Sequence, residues 1–173
     1  MAQFLAVVLP ILILTKLAGD DFGSIFLKRG NIRAGPIFGV VSFGAFAVLA
    51  LVLSSRSELS RDEILSAVPG ELVFVFANSF MEELWFRGIF LNNFKPFLGV
   101  VLSVSVTSIV FGVAYLGSTY VSAAEIIGFL AVVLTLGFVT GYVMLKTDSI
   151  WGSVLFHAGA DLVIIIPVLD SLS

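Results

Sequence analysis

Six apolar stretches, near residues 2–18, 36–54, 71–92, 97–116, 121–145 and 150–169, follow one another with little chain between them. At 1.5 Å of rise per helical residue, each is about long enough to cross the roughly 30 Å hydrocarbon core of a bilayer. The pattern predicts an all-α, polytopic membrane bundle of about six transmembrane helices. It leaves almost nothing for a soluble part, so residues 1–173 read as a single integral membrane domain. The charge content agrees: 12% of the residues are charged, against roughly 25% in a soluble domain. Pro36, Pro69 and Pro96 fall at or just before the starts of apolar stretches, where a missing N–H costs nothing. Pro10 and Pro167 lie inside runs and are candidate kinks. The first stretch has no basic residue ahead of it and so lacks the charged leader of a signal peptide; it reads as a retained helix.

The nine basic residues are unevenly placed. Lys16, Lys28, Arg29 and Arg33 surround the first connection, Lys95 the third and Lys146 the fifth, whereas the even side holds Arg56 and Arg61. The positive-inside rule then puts the odd connections in the cytoplasm and both termini outside. The chain has no cysteine, which excludes disulfides and thiolate metal sites. No basic and aromatic nucleic-acid surface, Gly-rich phosphate loop or internal repeat is present. Arg56 to Glu63 reads as a solvated charged loop. Gly137 and Gly141 form a GxxxG that lets a neighbouring helix approach closely, and Trp151 suits an interfacial anchor.

Against this background the segment SFMEELWFRGIFLNNF stands out. Glu82, Glu83 and Arg87 lie inside the apolar run Leu72 to Phe94, where each ionisable group costs a few kcal/mol. Glu83 and Arg87 are i,i+4 with the acid on the N-terminal side, the favourable order for an ion pair. Glu82 is turned about 100° away on the helix and lacks that partner. The two acids therefore divide into a structural one, Glu83, and a chemical one, Glu82, placed to take a proton from water. The single histidine, His157, lies in the last stretch with Asp161 one turn on and on the same face. A lone histidine in an apolar helix is commonly a packing residue. An Asp at i+4, in a chain that also buries EExxxR, makes it the second half of one polar site.

These residues carry a resemblance. EELWFRG (Glu82, Glu83, Arg87) resembles the first motif of the CPBP family, the CAAX-protease and bacteriocin-processing membrane proteins, also called the ABI family. TDSIWGSVLFHAGAD resembles its third motif, an HxxxN/D helix carried by His157 and Asp161. Phe111 to Tyr115 aligns with the second motif, FxxxH, but Tyr115 stands where the family has histidine. The similarity spans about Glu71 to Val168. It implies a glutamate-dependent intramembrane endopeptidase acting on a peptide or membrane-protein substrate, in a cavity open to the cytoplasm. By that implication Glu82 activates a water, His157 assists and Asp161 helps stabilise the oxyanion. Glu83 with Arg87 supports the site, and Tyr115 contributes a hydrogen bond. One histidine among carboxylates is a poor zinc set, so neither metal nor other cofactor is expected. Two other readings stay open. One is a non-catalytic family member acting as scaffold, immunity factor or regulator, in which Tyr115 is an interfacial aromatic. The other is a proton or ion relay, although no inverted repeat is visible. Nothing in the sequence specifies an oligomeric state.

Overall fold

The computed structural model describes residues 2–55, 60–115 and 123–170. Among them the structure is helical throughout: α1 (Ala2–Leu17), a 3-10 turn (Phe22–Ile25), α2 (Ala34–Ser54), α3 (Arg61–Glu83), a π-helical stretch (Leu84–Leu91), α4 (Asn92–Ala114), α5 (Ala123–Thr147) and α6 (Trp151–Asp170). Three helical paths are long and apolar enough to cross a bilayer: Ala34–Ser54, Asp62–Ala114 and Ile126–Thr147. Ala2–Leu17 and Trp151–Ile165 are shorter apolar helices. The protein is an integral membrane helical bundle.

Two boundaries differ from those expected. α3 begins at Arg61, well before the apolar run, because Ser60 and Glu63 form a capping box: the Ser60 side chain accepts from Glu63 N and the Glu63 side chain from Ser60 N. That box satisfies two otherwise orphaned donors. Arg61 to Glu63 are thus a first helical turn rather than loop, and Pro69 lies within the helix; Arg56, Ser57, Glu58 and Leu59 lie outside the described residues. Pro96 is likewise inside α4 rather than ahead of it. The second difference is that α3, the π stretch and α4 run on without a loop. At 1.5 Å per residue this 53-residue path would be about 80 Å long, well over twice the thickness of the hydrocarbon. It is broken at Gly99, whose φ of 72° and ψ of 177° are open to glycine and costly for other residues.

Small residues set the closest helix contacts. A Cβ on Gly152 of α6 would meet the carbonyl oxygen of Gly35 at 2.8 Å, and one on Gly39 would meet Leu155 Cβ at 2.7 Å. Gly35 and Gly39 are themselves a GxxxG, which brings α2 onto α6. Gly137 and Gly141 pack α5 against Ser108 and Val104 of α4, as their spacing predicts.

One end of the bundle is tied by hydrogen bonds to backbone carbonyls. Ile150 N donates to Phe26 O at 3.0 Å, Asn31 N to Thr147 O at 2.6 Å and Ser149 Oγ to Lys28 O at 2.8 Å. Lys28 pairs with Asp148 at 2.7 Å. The Asn92 side chain donates to Ser24 O. The first connection, the α5–α6 turn and the start of α4 therefore share one face of the bundle, and Lys28, Arg29 and Lys146 stand close to it in sequence. Beneath it lies an apolar cluster of Val8, Ile25, Phe26, Leu84, Met144 and Ile150.

Candidate active site

Four helical segments bring polar side chains to one place inside the bundle. Glu82 and Glu83 come from the end of α3, Arg87 from the π stretch, Tyr115 from the residue after α4, and His157 and Asp161 from α6. Pairing by i,i+4 holds as expected: Arg87 Nη1 is 3.3 Å from Glu83 Oε1, with both side chains fully buried. A π-helical turn begins directly after Glu83, and such turns concentrate at functional sites.

Arg87 is held by more than its ion pair. Its guanidinium carbon lies 4.3 Å from the centre of the Phe111 ring, a cation–π geometry. Room for the guanidinium comes from Gly137, where a Cβ would sit 2.9 Å from Arg87 Nη2. Phe111 is central to the apolar wall of the site. Its ring meets Phe86, Tyr115 and His157 edge-on, with centroid separations of 5.1, 5.2 and 5.7 Å.

Glu83 makes its second contact to His157 rather than to Glu82: His157 Nδ1 and Glu83 Oε1 are 2.8 Å apart. A carboxylate already paired with an arginine is an acceptor, so Nδ1 carries the proton and Nε2 is turned the other way. Nε2 faces two carboxylates, Glu82 Oε2 and Asp161 Oδ1, each 3.5 Å away. The Tyr115 hydroxyl donates to the Glu82 carboxylate, 2.8 Å from both oxygens. Asp161 Oδ2 accepts from Asn78 Nδ2 and from Ser79 Oγ, both at 3.2 Å.

Exposure divides this cluster in two. The side chains of Glu83, Arg87 and His157 have no accessible surface, whereas those of Glu82 and Asp161 retain 16% and 12%. The reachable edge of the site is thus the Glu82–Asp161 edge, with His157 Nε2 between them and Glu83 and Arg87 behind. Such an edge can bind a polar group, polarise it through Tyr115, and exchange a proton between a carboxylate and an imidazole. Among the described residues, no group of three or more His, Asp or Glu side chains has an arrangement that would hold a metal ion.

Every site residue expected from sequence falls in this cluster. Tyr115, which an interfacial position would have turned toward the membrane surface, instead has its hydroxyl on Glu82. Asn78 and Ser79 were not expected, although they lie one turn before Glu82 and Glu83 and so on the same helix faces. That spacing was their only signal.

The family model described as type II CAAX prenyl endopeptidase, Rce1-like, matches residues 64–163, more than half of the chain and all three motif positions. The chain belongs to this Rce1-like family. No curated protein and no solved structure matches it. Rce1-like membership assigns the protein to a group of CAAX-type membrane proteases and places the polar cluster within the matched region. The described helices outside the match, α1 and α2, pack around it: α2 against α6 through its glycines, and α1 through Phe4, Val7 and Val8 against the cluster beneath the tied end.

Proposed function

We propose that the protein is an intramembrane endopeptidase that uses Glu82 to activate water against a peptide bond. The observation that carries this reading is the Glu82 carboxylate itself, partly accessible and contacted by Tyr115 and His157 from two other helices. In the proposed reaction a water bound at the Glu82–Asp161 edge gives a proton to Glu82 as its oxygen attacks the carbonyl carbon. The tetrahedral oxyanion takes a hydrogen bond from Tyr115, and collapse of the intermediate breaks the C–N bond. The proton taken by Glu82 passes to the leaving amine, directly or through His157 Nε2. Glu83 and Arg87 do not touch the substrate; they fix the ring of His157 so that Nε2 faces the reaction. The substrate is a peptide or a segment of a membrane protein that reaches the site within the bilayer, from a cavity on the cytoplasmic side.

Tyr115 is the residue on which the proposal turns, because a phenol supplies a hydrogen bond but is a poor base near neutral pH. Proton transfer therefore falls to Glu82 and His157. Tyr115→Phe is expected to lower kcat by about 10²-fold, the scale for losing one donor to a transition state, with little change in stability. The deciding assay uses purified protein in detergent against a peptide library, with wild type, Glu82→Gln, Tyr115→Phe and Tyr115→His side by side. Cleavage by wild type that disappears in Glu82→Gln supports the proposal. Absence of cleavage by wild type, with activity gained in Tyr115→His, would instead identify a family member that has lost turnover and serves as scaffold or regulator.

A further inference from the structure

Glu71 lies well inside α3, on the path that crosses the bilayer, and takes no part in the cluster around Glu82. An ionisable side chain at such a position is costly and calls for a partner. Among the described residues it has none: Glu71 Oε2 is buried and nothing hydrogen-bonds it. The carboxyl lies on the wall of a cleft between α2, α3 and α6, where its neighbours include Phe43, Ala47, Leu72, Leu162 and Ile165. Ser54 also lines the cleft, and its hydroxyl donates to Leu51 O within α2. Glu71 is therefore the single charged group in an otherwise apolar lining.

The cleft continues the reachable edge of the site. Glu71 precedes Glu82 by eleven residues, which is three helical turns and about 20°, so the two carboxyls share one face of α3 and lie about 16 Å apart along its axis. On α6 the cleft is lined by Leu162 and Ile165, the first directly after Asp161 and the second one turn beyond it. A chain lying along the α3–α6 pair would thus meet the Glu82–Asp161 edge and the Glu71 cleft together. An apolar wall holding one unpaired carboxyl complements an apolar segment that carries one cation. Such a segment brings the partner that Glu71 lacks, and neither charge is then left alone in a poorly hydrated place. A neutral acyl chain would fill the same wall and leave the carboxyl unpaired.

We propose that Glu71 is a specificity-determining residue that binds a lysine or arginine side chain of the substrate's membrane segment. An extended chain advances about 3.3 Å per residue, so the basic residue lies about five residues from the bond that is cut. The effect on cleavage rests on the endopeptidase reading given above; the binding of the cation does not.

Two measurements on the full chain in nonionic detergent separate these. In the first, a fluorescent Leu/Ala peptide with one Lys, and its analogue with norleucine in place of the Lys, are titrated by anisotropy into Glu82→Gln, which holds a peptide without cutting it. The Lys peptide should bind at least about tenfold more tightly, the scale of a hydrogen bond to a charged group, and adding Glu71→Gln should erase the difference. That amide strands no partner, so the double variant is expected to fold. Equal binding of the two peptides, or a Lys preference that survives Glu71→Gln, would overturn the proposal. In the second, wild type is given peptides in which the Lys is moved one residue at a time, and the cut should move with it at a spacing of about five residues. Cuts that ignore the Lys would overturn the specificity role. A Glu71-dependent Lys preference in binding, without any Glu82-dependent cleavage, would sustain the cation site and refute the endopeptidase reading.

Discussion

Glu82 and Glu83 are adjacent in the chain and serve different ends because a helix turns consecutive side chains through about 100°. Glu83 meets Arg87 and His157 in a spot with no accessible surface. Glu82 meets Tyr115 and keeps part of its surface. Glu83→Gln preserves an oxygen that can accept from His157 but removes the charge opposite Arg87, and leaving a buried charge unpaired costs about 3–5 kcal/mol. The variant should therefore unfold markedly earlier than wild type in a thermal melt in detergent, or fail to accumulate. Glu82→Gln, which keeps an acceptor for Tyr115 and has no arginine partner to strand, should melt close to wild type while losing hydrolysis. Equal melting of the two variants would contradict this division. Its origin was legible in the sequence, since i,i+4 spacing identifies the arginine's partner without any structure. That Glu83 also orients His157, and that Asp161 is surrounded by donors from α3, was not legible. Those contacts depend on how α6 is rotated against α3, which no local spacing encodes.

Among the helices, glycines decide who may approach whom. Gly137 serves two neighbours at once: a Cβ there would meet Arg87 Nη2 at 2.9 Å and Ser108 at 3.0 Å. Gly137→Val should cost about 1–3 kcal/mol through overpacking and should impair activity as well, because it displaces the arginine behind His157. Gly128 lies on the same helix, and a methyl added there would meet nothing within 4 Å. Gly128→Ala should be neutral or slightly stabilising, by up to about 1 kcal/mol of helix propensity. Melting the pair side by side checks the assignment. The GxxxG at Gly137 and Gly141 was readable as a packing signal, and the one at Gly35 and Gly39 carried the same signal. Which partner each would meet was not readable, since spacing reports that a helix is approached and not by what. The helix boundaries were blurred for a different reason: hydropathy locates apolar surface, whereas Ser60 and Glu63 start α3 by hydrogen bonding in a polar stretch that hydropathy ignores.

At the scale of the whole molecule, the basic residues predict an orientation, with the tied end carrying Lys28, Arg29 and Lys146 in the cytoplasm. Because the chain has no cysteine, an introduced one is a unique label. Arg29→Cys should react with an impermeant maleimide only after cells are permeabilised, and Ser55→Cys in intact cells; the reverse pattern would invert the orientation. The break at Gly99 bears on the whole architecture in another way. It falls seventeen residues after Glu82 and sixteen before Tyr115, so the chain goes out and returns over matched lengths. Side chains whose numbers add to nearly the same total meet across it: Glu82 with Tyr115, Phe86 and Arg87 with Phe111. The site is thereby gauged by counting. One residue inserted between Gly99 and Phe111 would leave every helix intact, yet it would carry Phe111 and Tyr115 about 1.5 Å along and 100° around their axis, away from Arg87 and Glu82 together. Insertion scanning should find this hairpin intolerant of a single added residue on either arm.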